Sequence, residues 1–255
     1  MAENKVLFIV EGEREEVRFI QRLFETCFKT KGYQIYSYST NIHVLSQLLY
    51  NDYPDFDKGD IDIKLALKSK EKDEKRRRIL EEKYTDIFMI FDFDPHHKIP
   101  HFDTIHRMLK YFNDSTNQGK LFINYPMMES YKHFNKLPDD GFKERIIKAG
   151  EIRDYKEIVD TNSNFRNLDL FTYAEYYSIA VHQLRKCRKI LQGEYDIPEA
   201  EEYYTWDLSE VYGKELKNYE RGYVDVLNTC ILILVDYSPS KFFRYIKEHE
   251  KELMI

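Results

Sequence analysis

The chain has 255 residues, 42% hydrophobic and 15% aromatic, enough to bury one large core or two modest ones, and its few glycines and prolines exclude long flexible linkers. No window approaches the ~20 apolar residues of a membrane span, and Met1-Ala2-Glu3-Asn4-Lys5 lacks the cationic and apolar regions of a signal peptide, so a cytoplasmic protein is expected. The net charge of -6 argues against a dedicated nucleic-acid binder, and the isolated Cys27, Cys187 and Cys230 argue against a disulfide framework or a cysteine metal site.

The first half alternates strand and helix patterns. The apolar run Val6 to Val10 predicts a strand. Glu13 to Lys31 then carries Val17, Ile20, Leu23, Phe24 and Cys27 at helical spacing, with Gly32 as a stop. A strand over Tyr33 to Tyr38 precedes a helix capped by Asn41 and running through Leu49, and Asn51 to Gly59 is rich in turn residues. Ile61 to Lys83 is expected to be mainly helix. Asp86 to Phe91 is nearly continuously apolar, as befits a parallel strand covered on both faces. Leu121 to Ile123 predicts another strand, opening onto Asn124 to His133 as a helix with Asn124 at its cap and Pro126 in its first turn.

Beyond Phe142 the periodicity predicts helices only: Phe142 to Ala149, Leu170 to Leu191, Ala200 to Leu216, Tyr223 to Tyr237 and Ser240 to Leu253, with Thr172 to Glu175 as a helix opening. The expected fold is α/β, a mostly parallel sheet flanked by helices over residues 1–140, followed by a mainly α-helical region over 141–255.

Several carboxylates fall at strand ends. Glu11 follows the first strand and precedes Gly12, a residue that permits close approach or unusual φ; Asp92 and Asp94 follow Phe91, two apart and therefore on one side of an extended chain. Ligands of open parallel sheets bind beyond the carboxyl ends of the strands. Carboxylates gathered there repel one another unless a hard cation such as Mg²⁺ neutralises them. Each motif also has a bland reading: Glu11 and Glu13 complement a helix dipole, and a D-x-D before Pro95 is an ordinary turn element. On the helix expected after Asn124, Glu129 and His133 share a face and can ligate metal or orient water.

Other features are less specific. His96, His97, His101 and His106 form a loose group in a loop framed by Pro95 and Pro100, and Tyr203, Tyr204 and Trp206 are candidates for base stacking or for helix packing. Two basic clusters, Lys68 to Arg78 and Arg185 to Lys189, can guide a phosphate backbone or form solvated helix faces. No phosphate-binding loop of the ATPase type occurs.

In order and context, Glu11-Gly12 after the first strand and Asp92-Phe93-Asp94 after a later one resemble the topoisomerase/primase, or Toprim, catalytic domain. More narrowly, Glu11-Gly12-Glu13-Arg14-Glu15-Glu16, the D-x-D, and Asn124 through Glu129 to His133-Phe134 resemble the RloB-like and OLD-like Toprim proteins of bacterial anti-phage defence, which show E-G-E-x-x-E, D-x-D and N-P-x-x-E elements. Here Tyr125 separates Asn124 from Pro126. The resemblance covers residues 5 to 135. It implies a Mg²⁺- or Mn²⁺-dependent nuclease of RNA, tRNA included, or DNA, with Glu11, Asp92, Asp94 and Glu129 as catalytic residues and Glu11, Asp92 and Asp94 as metal ligands. It further implies a toxic effector with an ATPase as regulatory partner, and leaves self-association open. The alternatives are a Toprim-fold interaction subunit that cuts nothing and another metal-dependent phosphoryl-transfer enzyme.

Overall fold

Val6–Val10 (β1) offers no polar side chain to water, and all five residues are buried. A computed structural model describes residues 5–59, 61–98 and 100–253; residues 1–4, most of the segment read above for a signal, lie outside them. β1 is followed by α1 (Glu15–Leu23), β2 (Tyr33–Ser37), α2 (Ile42–Asp52), α3 (Ile63–Lys68), α4 (Glu74–Glu81), β3 (Asp86–Asp92), α5 (Phe102–Tyr111), β4 (Asn113–Asp114) and β5 (Gly119–Asn124). The sheet order is β2-β1-β3-β5-β4. β1 runs parallel to both β2 and β3, and β4 is antiparallel to β5. The fold is thus α/β, with a mostly parallel five-stranded sheet flanked by helices, as expected.

A row of stacked rings crosses the sheet. Phe8 of β1 lies 5.7 Å from Phe88 of β3, which lies 6.2 Å from Phe122 of β5, and Phe24 meets Phe8 edge-on at 5.0 Å. β1 and β3 pair from Val6 with Asp86 to Val10 with Ile90. That register brings the ends of both strands to one edge.

The chain divides into two compact units, Met1–Phe122 and Ile123–Ile255. The division falls inside β5 rather than at the expected 140/141 boundary because the residues after Phe122 are hydrogen-bonded to the second unit. Tyr125 and Leu227 exchange backbone bonds of 2.7 and 2.8 Å, Thr229 Oγ1 donates to the Ile123 carbonyl at 2.8 Å, and Asn228 Nδ2 donates to that of Met128 at 3.0 Å.

The second unit contains β6 (Ile146–Lys148), α6 (Tyr155–Asn162), α7 (Tyr173–Gln192), α8 (Ala200–Tyr203), α9 (Leu208–Glu220), β7 (Tyr223–Asp225), α10 (Ile233–Tyr237), α11 (Pro239–Glu248) and α12 (Glu250–Leu253). Helices dominate, but β6 and β7 form an antiparallel pair where only helix was expected. Three residues are too few for the period of two to emerge. The helix expected over Ile61 to Lys83 is broken into α3 and α4, because Asp73 caps a new helix by accepting the Lys75 and Arg76 N–H groups at 2.9 Å. The 124–133 segment forms only a 3₁₀ turn, Met128–Lys132, and Asn124 does not cap it; Asn124 Oδ1 instead accepts the Cys230 N–H at 3.2 Å.

α7, of 20 residues, is the longest described helix, and 11 of its residues are buried. Thr172 and Glu175 close its start with a reciprocal capping box: Thr172 Oγ1 accepts the Glu175 N–H at 3.3 Å and Glu175 Oε2 accepts the Thr172 N–H at 2.7 Å. Gly193 ends it at φ 87°, in the left-handed region. Thr172→Ala is expected to destabilise the chain by about 1 kcal/mol, read as a lower urea midpoint by circular dichroism. An unchanged midpoint would mean that the box contributes nothing.

Candidate functional site: an acidic edge of the parallel sheet

Glu11 is the first residue past β1, and the ladder still holds it. Its N–H donates to the Ile90 carbonyl at 3.1 Å, and its own carbonyl accepts the Ser39 N–H at 3.0 Å. With the backbone clamped toward both neighbouring strands, the side chain reaches along the edge, where Oε2 accepts the Asp92 N–H at 3.1 Å. Phe93 is buried while Asp92 and Asp94 are half-buried, the alternation an extended D-x-D predicts.

Asp94 is gripped twice from the start of α2. Asn41 Oδ1 caps α2 by accepting the Val44 N–H at 3.2 Å, and its Nδ2 donates to Asp94 Oδ2 at 3.0 Å. His43 Nδ1 accepts the His101 N–H at 3.2 Å, so that nitrogen has no proton, and Nε2 donates to the Asp94 carbonyl at 2.7 Å. Burial pushes the His43 imidazole below its ordinary range, in keeping with this neutral tautomer. The His97 ring stacks on it at 4.6 Å. Among the four histidines singled out from the sequence, His97 and His101 therefore support His43, a residue that position alone did not mark.

A fourth carboxylate adjoins the edge. Glu16 is only 7% exposed and lies over Gly12, where an added Cβ would meet its Oε2 at 2.5 Å. Gly12 is needed for this close approach, and its φ lies outside the left-handed region. Burial first, and then the negative charges of Glu16 and Asp94, push the Glu11 carboxyl up to about 7, against the lowering effect of the Asp92 N–H.

The donor set consists of hard carboxylate oxygens, the type that Mg²⁺ and Mn²⁺ take. The mutual repulsion registered at Glu11 is what a divalent cation would relieve. Among the described residues, no three His, Cys, Asp or Glu side chains are already gathered in metal-holding geometry.

Glu129 belongs to the second unit. Its side chain is 7% exposed and pairs with Lys156 Nζ at 3.0 Å. The expected shared face with His133 is not formed, because the 3₁₀ turn ends at Lys132. His133 Nδ1 instead lies 3.0 Å from the Tyr155 hydroxyl, and burial pushes its ring down to about 4.

Both basic clusters are largely engaged within the fold. Lys68 pairs with Glu81, Lys70 with Asp52 and Arg76 with Glu71; Arg188 pairs with Glu194, Asp196 and Glu202, and Lys189 with Glu144. Of the three aromatic candidates for stacking, Tyr203 is buried with its hydroxyl on Asp236, Trp206 packs on Tyr203, and Tyr204 is exposed. In comparisons with family models, curated proteins and solved structures, the chain has no significant match.

The Glu11 shift fixes a sign. A carboxyl ordinarily near 4.5 that titrates near 7 in the fold favours folding while protonated; that contribution is full below pH 4.5 and is lost as pH rises through 7. In metal-free buffer, Glu11→Gln is therefore expected to be more stable than the natural protein by about 3 kcal/mol at pH 8, with the gain vanishing near pH 4.5. Urea titrations at both pH values would check this, and a pH-independent difference would contradict it.

Proposed function

We propose that the acidic edge beyond β1 and β3 is the centre of a metal-dependent, Toprim-type nuclease acting on RNA, tRNA included, or DNA. In this reading the protein is the toxic effector of a bacterial anti-phage defence system controlled by an ATPase partner. The observation that supports the chemistry most directly is the Glu11 Oε2 bond to the Asp92 N–H, which ties the Glu11 carboxylate to the main chain of the D-x-D across adjacent parallel strands. The defence role and the ATPase partner rest on the sequence resemblance alone, as does any part played by Glu129.

A bound Mg²⁺ or Mn²⁺ supplies charge neutralisation at phosphoryl oxygens. Asp92 and Asp94 are the residues that would hold it, together with Glu11. Asn41 and His43 keep Asp94 in place by occupying one carboxylate oxygen and its carbonyl. Burial and the neighbouring carboxylates raise the Glu11 carboxyl in the metal-free site, and a cation held there would return it to the charged form, the form that takes a proton from an attacking water.

Supercoiled plasmid, single-stranded DNA and total tRNA, each incubated with Mg²⁺, Mn²⁺ or EDTA, test this reading and identify the substrate class. Cleavage is expected only with metal, and Glu11→Gln or Asp92→Asn is expected to lower the rate about 10²-fold or more with the circular dichroism spectrum unchanged. Metal-dependent cleavage equal in all three proteins would move the site elsewhere. No cleavage by any of them would favour the non-cutting interaction subunit.

A further inference from the structure

A second cluster of chemistry lies within the second unit. The end of α7, one face of α9 and the β6–β7 pair enclose an open cavity of about 380 Å³, within the size range of small-ligand sites. Lys214, Lys217 and Asn218 of α9 and its C-cap residue Arg221 recur at intervals of three, one and three, so all four fall on one side of the helix, and they line the cavity. Ile146, Ile190 and Tyr223 give it an apolar wall.

Behind the wall residue Asp225 lies a network of buried charge. Lys186 is fully buried and pairs with Asp225 Oδ1 at 3.1 Å, donating also to the carbonyls of Phe142 and Arg145. Glu215, likewise fully buried, accepts the Asp225 N–H at 2.9 Å and Asn218 Nδ2 at 3.1 Å. Burial, then the charge of Asp225, pushes the Glu215 carboxyl up, and burial pushes the Lys186 ammonium down. Asp225 pairs with Lys186, and the other acidic wall residue, Glu144, pairs with Lys189 at 2.7 Å.

Three cations of the wall remain unmatched. Lys214 Nζ donates to the Ile190 and Leu191 carbonyls at the end of α7, at 2.7 and 2.8 Å, and has no carboxylate partner. Lys217 and Arg221 are exposed, and the side chain of neither makes an ion pair or hydrogen bond with the described residues. Solvated surface cations are ordinary, but three on one helix face, opening onto a concave apolar wall whose two carboxylates are already paired with lysines, suit an anion with an organic body.

We propose that this cavity binds a small phosphate ester of mononucleotide size, its phosphate held by Lys214, Lys217 and Arg221 and its organic part lying on Ile146, Ile190 and Tyr223. The site is independent of the nuclease reading, since it uses no residue of the acidic edge.

Isothermal titration of the full chain with AMP, adenosine and inorganic phosphate tests it in metal-free buffer at low salt. AMP is expected to bind, inorganic phosphate more weakly and adenosine not measurably. Lys217→Glu combined with Arg221→Glu is expected to weaken AMP binding about tenfold or more, while Lys70→Glu, on the first unit, leaves it unchanged. Both replaced side chains are exposed, so folding should persist; if circular dichroism shows otherwise, Lys217→Gln with Arg221→Gln serves instead. Adenosine binding as tightly as AMP, phosphate binding as tightly as AMP, equal AMP affinity in natural and double-variant proteins, or no AMP binding at millimolar concentration would each overturn the proposal.

Discussion

A single hydrogen bond, from the Asp92 N–H to Glu11 Oε2, organises the acidic edge of the first unit. It forms because β1 and β3 are neighbours in parallel register, so both chains leave the sheet at the same level. Were the strands antiparallel, the two carboxylates would sit at opposite ends of the pair. The bond also opposes the electrostatics around it. It favours a charged Glu11, whereas burial and the nearby Glu16 and Asp94 favour a neutral one, and the latter effects win.

The elements most legible in the sequence were those with a long, unmixed pattern. β1 and β3 are five and seven residues of nearly pure apolar character, and each could be placed to within a residue. α7 was equally plain because its opening at Thr172 to Glu175 leads into a sustained helical period. β6 and β7 were invisible for the opposite reason, since their pairing spans about 75 residues and each contributes three. The segment after Asn124 misled through chemistry that was real but used differently: an Asn before a Pro reads as a cap, whereas the Asn124 amide is drawn instead to the N–H of Cys230, far along the chain.

The site followed the same division. Glu11, Asp92 and Asp94 stand at strand ends, where local sequence suffices to place them on one edge. Their supports do not. Asn41 looked like a cap and is one, but nothing in its neighbourhood announces that the other half of its amide holds Asp94. His43 was hidden among helix residues, while the conspicuous histidines after the D-x-D turned out to buttress it. The lysine- and arginine-rich runs misled by number, because several of their cations pair with the acids interleaved among them or with acids elsewhere in the fold, as Lys68 does with Glu81 and Arg188 with Glu202.

Asn41 and His43 stand two residues apart at the beginning of α2, and one holds the side chain of Asp94 while the other holds its main chain. The carboxylate thus rides on the helix as a needle rides on a gauge. A shift of α2 along its axis by a fraction of a turn would carry Asp94 with it and change its distance from Glu11, which stays fixed to the sheet by its own backbone bonds. One ordinary-looking helix is therefore mechanically continuous, through its first turn, with the spacing of charges at the sheet edge.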